Sequence, residues 1–189
     1  MIPRLSPTSP ALASLLGLAA LSLSAVACGG PGAADASGAN NPLIGKPAPE
    51  FSAEAVGGDG PKTLKAAQGK VVIVDFWGTF CDPCKKSFPK YQALVDQFGG
   101  DLAVLAVSVD DPDMVKKDKL LTFAKDNQAK FAIVWDKDHS AAKTYGMDNL
   151  TMPSSFVVDK QGVVRHLHVG FHDGEEGKIA GEVKELLGK

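Results

Sequence analysis

Two cysteines separated by two residues, Cys81-Asp82-Pro83-Cys84, carry the most reactive chemistry in this 189-residue chain. A pair at that spacing can close a disulfide, supply half of a zinc site, or pass electrons. A bond between them closes too short a loop to restrict the unfolded chain much, so a bracing role is weak. Structural zinc takes four ligands, and the chain holds only three cysteines, Cys28, Cys81 and Cys84. Redox exchange remains, and it requires a thiolate. The residues ahead of the pair, Val74-Asp75-Phe76-Trp77, read as the end of a buried strand. After Cys84, apolar residues fall at Phe88, Tyr91, Leu94, Val95 and Phe98, which is helical spacing. A strand, a short loop and a helix place Cys81 at the helix N-terminus, where free backbone N–H groups and the helix dipole favour the thiolate. The dipole supplies about 0.3–1 kcal/mol at an exposed site. That is less than the roughly 1.36 kcal/mol of one pH unit, so hydrogen bonds from the Cys84 thiol and local amides are also required. One helical turn brings the second thiol to the first. Cys81 is then the exposed attacker and Cys84 the buried resolver.

Other side chains invite a chemical reading. Asp75 lies between Val74 and Phe76, which predicts burial, and a buried carboxylate is costly enough to need a purpose. His166 and His168 alternate on one face of a predicted strand with His172 nearby, and two such histidines can share a metal. A solvated sheet face is the favoured reading for them, as a solvated helix face is for Lys116-Lys117-Asp118-Lys119.

The elements that must position the pair follow from hydrophobic pattern. Val71 to Trp77, Leu102 to Val109 and Phe131 to Trp135 are near-continuous apolar runs, the mark of strands covered on both faces. Phe51 to Val56 is a shorter candidate. Ser155 to Asp159 and Val163 to Val169 flank Lys160-Gln161-Gly162, a hairpin signal. Helices are predicted from Cys84 to Phe98 with a kink at Pro89, over Met114 to Asn127, over His139 to Tyr145 and over Glu175 to Leu187. The alternation implies an α/β domain with a mixed central sheet and helices on both faces.

The N-terminal portion has a different character. Residues 11–27 are uncharged and rich in Leu and Ala, too short and too interrupted by Ser and Gly to span a bilayer. Residues 1–27 are therefore expected to be an export signal. Its end, Ala25-Val26-Ala27-Cys28, resembles the bacterial lipobox, which implies lipidation of Cys28. Residues 28–42 then form the lipidated cysteine and a Gly/Ala/Ser/Asn/Pro tether, and residues 43–189 the folded domain. Apolar residues make up 44% of the chain and charged residues 22%, as in ordinary globular proteins, and a net charge of −2 offers no field for nucleic acid.

The domain resembles the thioredoxin superfamily over most of its length. Trp77 and the Cys-x-x-Cys pair stand in the family's spacing, Pro89 lies five residues after Cys84, Asp75 lies six before Cys81, and Met152-Pro153 precedes a late strand. The opening Ile44-Gly45-Lys46-Pro47-Ala48-Pro49-Glu50-Phe51 and the extra helix–strand insertion from Met114 to Trp135 are similar to the TlpA/ResA-like, exported, membrane-tethered branch. That branch often has Trp, Glu and Asn where this chain has Phe80, Ser87 and Asp75. The resemblance implies that Cys81, Cys84 and Asp75 are catalytic, with Asp75 shuttling the proton of Cys84. It implies a substrate-docking surface of Trp77, Phe80, Asp82, Pro83, Met152 and Pro153, with Pro153 cis.

The expected function is protein thiol–disulfide exchange outside the cytoplasm, in the periplasm or at the exterior of a bacterial cell, and as a reductase. The expected enzyme is a monomer using no metal and no cofactor beyond its dithiol, recharged by a membrane electron-relay donor. A copper-handling protein is one rival, though such relatives usually have three residues between the cysteines. A thiol peroxidase is another, but Val74 and Gly78 stand where the peroxidatic Pro and Thr would be needed.

Overall fold

A computed structural model describes residues 41–147, 149 and 151–189. The expected signal, Cys28 and nearly all of the tether lie outside them. Six strands form one mixed sheet: β1 (Glu54–Gly57), β2 (Val71–Trp77), β3 (Leu102–Ser108), β4 (Ala132–Trp135), β5 (Ser154–Val158) and β6 (Val164–Val169). Their order across the sheet is β1-β4-β3-β2-β5-β6. β2 is parallel to β3 and antiparallel to β5, and β3 is parallel to β4. β1 and β6 run antiparallel to their neighbours at the two edges. Four helices complete the domain: α1 (Asp82–Phe98), α2 (Lys117–Asp126), α3 (Ser140–Thr144) and α4 (Glu175–Leu187).

β2 explains its own sequence. All 7 of its residues are buried, because the central strand is covered on both faces. Side chains alternate along a strand, so Ile73 and Trp77 enter one core with Cys81, Cys84 and residues of α1, α2 and α4. Val72, Val74 and Phe76 enter a second core with Ala141 and Ala142 of α3. Asp75 alternates with the first set and therefore lies on the side of the cysteines. Helices thus cover both faces of the sheet, as the pattern implied.

Several boundaries differ from expectation. The second helix begins at Lys117 rather than Met114, because Asp111 forms a local turn: its side chain accepts the Asp113 N–H at 2.8 Å, and its carbonyl accepts both Met114 and Val115 N–H. Met114 is left 82% exposed. The first strand is shifted to Glu54–Gly57, where it pairs with β4 through a register break. α3 is confined to Ser140–Thr144, its start fixed by the Asp136 carboxylate, which accepts Ala141 N–H at 3.1 Å and Ala142 N–H at 2.8 Å. At the β6 edge, the chain entering the domain pairs with the sheet. Gly45 N–H donates to the Val164 carbonyl, Val164 N–H to the Lys46 carbonyl, and Ala48 N–H to the Gly162 carbonyl.

Candidate active site

Cys81 is the N-cap of α1, in extended conformation, and its sulfur accepts the Cys84 N–H at 3.2 Å. Pro83 sits in the first turn, where the missing N–H costs the helix nothing. The two cysteines are joined in a disulfide with Cα atoms 5.3 Å apart. Cys81 is 6% exposed and Cys84 0%, so only the first sulfur can be approached from solvent. Both cysteines are buried, Cys81 less completely than Cys84, so the outer position expected for Cys81 is only slightly open in the disulfide form. Ser87, on the next turn, is buried and donates its hydroxyl to the Cys84 carbonyl at 3.2 Å.

Phe80, Asp82 and Pro83 are exposed around Cys81, and Phe80 is 66% accessible. The Phe80 ring folds over Gly78, where an added Cβ would lie 2.6 Å from a ring carbon. Asp82 pairs with Lys85 at 2.7 Å, and that lysine holds its carboxyl below the usual range. The negative charge between the cysteines is therefore partly countered within the same turn.

On the same side of the sheet as the pair is Asp75, 0% exposed. Its Oδ1 accepts the Ser155 hydroxyl at 2.7 Å, and Oδ2 has no partner among the described residues. Burial pushes its pKa up from 3.8 to about 7, opposed in part by the Ser155 hydrogen bond. A carboxyl near 7 can accept or release a proton at neutral pH, as a general acid–base requires.

Trp77 corrects an expectation. It is 0% exposed, with its ring centroid 4.8 Å from those of Phe88 and Phe123. An indole at the end of a strand covered on both faces, with two phenylalanine rings against it, is packed beneath the site helix rather than presented to a substrate. Met152 and Pro153 are joined by a cis peptide bond. Ser154 pairs in register with Phe76, which puts Pro153 level with the end of β2, where the cysteine loop departs. Met152 is half-buried against the core that contains Cys81 and Cys84.

The histidines also depart from the reading of a solvated face. His168 is 2% exposed, covered by α4. Its Nδ1 lies 2.5 Å from Glu175 Oε1 and its Nε2 2.7 Å from Glu182 Oε2, while His166 Nδ1 is 3.5 Å from Glu182 Oε1. The signal was present in sequence: Glu175 and Glu182 stand seven apart, two turns along one helix face.

Sequence reasoning missed one residue that shapes the cysteine loop. Asp110, just past β3, is 1% exposed and accepts Thr79 N–H at 2.9 Å, the Thr79 hydroxyl at 2.6 Å and the Ser108 hydroxyl at 2.9 Å. It ties the loop before Cys81 to a strand end 31 residues away, a contact that local pattern does not encode.

Residues 44–167 match the AhpC/TSA family. The thioredoxin-like protein YneN of Bacillus subtilis (strain 168) is 32% identical over 126 residues, covering 67% of this chain and 71% of the relative. The thiol-disulfide oxidoreductase ResA of Bacillus thuringiensis (strain Al Hakam) is 32% identical over 145 residues, covering 76% of this chain and 78% of the relative. A Chlorobium tepidum crystal structure described as a thiol:disulfide interchange protein DsbE superposes with a TM-score of 0.65 at 29% identity, over 76% of this chain and 97% of that one. The chain therefore belongs to the AhpC/TSA family, and within it to the thioredoxin-fold enzymes that exchange thiols and disulfides.

Proposed function

We propose that this enzyme reduces disulfides of exported proteins, with Cys81 as nucleophile, Cys84 as resolving thiol and Asp75 as the proton acceptor. The observation that carries the reading is that these three groups share one side of the sheet: a sulfur at a helix N-cap, its partner one turn on, and a buried carboxyl held near neutrality on the strand that leads into them. In the reduced enzyme the Cys81 thiolate attacks a substrate disulfide, forming one mixed disulfide and releasing one substrate thiolate, which takes a proton from water. The Cys84 thiol gives its proton to the Asp75 carboxylate, and the Cys84 thiolate attacks Cys81 Sγ. The second substrate thiolate leaves, and the enzyme holds the Cys81–Cys84 disulfide. Two electrons have passed to the substrate. The dithiol itself carries them, with no added cofactor.

An exported reductant must be recharged, so a membrane dithiol donor is its electron source. Lipidation of Cys28 would hold the monomeric domain at a membrane facing the periplasm or exterior. Among the described residues no helix is long and apolar enough to cross a membrane. Phe80, Asp82, Pro83, Met152 and Pro153 are the docking surface in this reading. Val74 and Gly78 offer no hydroxyl for peroxide, which disfavours a peroxidase.

Trapping tests the proposal. A Cys84→Ala variant should accumulate mixed disulfides through Cys81 with exported proteins. Equilibration of the wild type with glutathione should give a potential on the reducing side of protein disulfide isomerase, about −180 mV. Failure to trap any thiol partner would remove the protein substrate, and a strongly oxidising potential would reverse the direction of electron flow.

A further inference from the structure

The strand that leads into Cys81, β2, lies between β5 and β3. On the β5 side are Met152 and cis Pro153. On the β3 side is the turn from Val109 to Val115. Neighbouring strands lie about 4.8 Å apart, and the pairing of β2 with β3 goes on past the end of both. Val109 N–H donates to the Trp77 carbonyl at 2.9 Å, and Thr79 N–H to the Asp110 carboxylate at 2.9 Å. The turn therefore leaves the sheet beside the cysteine loop and is fastened to it just ahead of Phe80 and Cys81.

That turn holds Met114 out to solvent. The Asp111 carbonyl accepts the Met114 and Val115 N–H groups at 3.1 and 2.9 Å, which fixes the backbone. Val115 then enters the core that contains Cys81 and Cys84. Met114 is 82% exposed, and Phe80, on the adjoining loop, 66%. A single exposed apolar side chain is ordinary. Among the described residues, however, only three large ones are exposed, and the third is accounted for: Leu121 leans on β1, its Cδ2 2.6 Å from where a Cβ on Gly57 would lie. The other two stand on neighbouring, fastened loops at the end of the sheet where the reactive sulfur is. Methionine suits a surface that must accept varied apolar groups, because its side chain is unbranched, flexible and polarizable.

We propose that Met114 is a specificity-determining residue of the exchange reaction: with Phe80 it forms an apolar wall on the β3 side of Cys81, which receives apolar side chains flanking the cysteine of a polypeptide disulfide. This rests on protein disulfides being the substrates, and it says which ones. Exchange brings a substrate sulfur to Cys81 Sγ, so the residues next to that sulfur lie over the surfaces next to Cys81. Those on one side meet Met152 and Pro153, and those on the other meet Phe80 and Met114. The substrate class is a disulfide whose neighbouring apolar residues are still exposed, as in a chain that has not finished folding. In a folded protein such side chains are mostly inside, and glutathione has none. Met114 makes and breaks no bond; it adds contact beside the step that the cysteines carry out.

The test compares the wild type, Met114→Gln and Met114→Leu in the reduction of two peptide disulfides that differ only beside the cysteine, with leucine in one and serine in the other. Glutamine keeps the length of the side chain and makes it polar, at a site where exposure leaves folding undisturbed; leucine keeps the apolar surface. Contact with a partly buried apolar side chain is worth about tenfold in affinity. The wild type should therefore reduce the leucine peptide with a kcat/KM about tenfold above that for the serine peptide, the difference lying in KM. Met114→Gln should cut that preference about threefold or more, with Phe80 supplying the remainder, and Met114→Leu should keep it. If Met114 only held its loop in place, both peptides would change alike and their ratio would stand. Equal kcat/KM for the two peptides in the wild type, or an intact preference in Met114→Gln, would overturn the wall and leave protein disulfides as the substrates. Reduction of neither peptide by the wild type would overturn the protein-disulfide reading, and the wall with it.

Discussion

Replacing Asp75 by Asn should make the oxidised protein more stable above neutral pH and change little near pH 3. The wild-type carboxyl titrates near 3.8 when unfolded and at about 7 when folded, because burial penalises the charge. Between those values the native state binds one more proton than the unfolded chain, so stability falls as pH rises. The contribution is fully present below 3.8 and is lost as pH passes through about 7. At about 1.36 kcal/mol per pH unit, that interval costs the wild type at most about 4 kcal/mol by pH 8. An asparagine has no proton to lose. Any penalty from its amide facing Ser155 is the same at every pH and does not enter the slope. Urea unfolding of both proteins with the disulfide intact, at pH 3, 5, 7 and 8, gives the difference directly, and exposed ion pairs common to both cancel. The advantage of the variant should be flat near pH 3, grow between about pH 4 and pH 7, and level off above that. A difference that stays constant with pH would refute the reasoning, because it would mean that the buried carboxyl titrates alike in both states.

Other perturbations follow from the same structure. Asp110→Ala leaves the Thr79 amide and two hydroxyls without their acceptor. It should cost about 2–4 kcal/mol in denaturant unfolding and slow disulfide exchange by loosening the loop before Cys81; a loss under about 0.5 kcal/mol would show that the loop does not depend on it. Phe80→Ala should weaken mixed-disulfide formation with a peptide disulfide while leaving exchange with glutathione unchanged, and equal losses with both would take Phe80 out of docking. Cys28→Ser should move the protein from the membrane to the soluble fraction in cell fractionation; retention on the membrane would exclude a lipid anchor at that position.

Much of the fold was legible because its strongest elements are locally determined. β2 and β3 declare themselves as apolar runs, α1 by the spacing from Phe88 to Phe98, and the β5–β6 turn by Lys160-Gln161-Gly162. The place of the cysteine pair at the start of α1 follows from the strand–loop–helix passage alone. What escaped depends on partners distant in sequence. Trp77 was assigned to a surface because its spacing from Cys81 carries no information on depth, which the rings of Phe88 and Phe123 decide. His168 alternates correctly with His166, but its burial depends on where α4 lies. The Ser155 hydroxyl is ordinary in sequence, and only the register of β5 against β2 brings it to Asp75. The false start of α2 at Met114 is local: Asp111 and Pro112 hold a turn that the apolar pattern alone does not reveal.

Residues 45–48 occupy hydrogen-bonding positions at the start of β6, the last strand on that side. A strand already partnered there does not offer those groups to a neighbouring molecule, so two domains cannot extend one sheet through that stretch. The leading segment of the chain thus acts as a guard against edge-to-edge association, and its removal should reveal itself as self-association before any loss of redox chemistry.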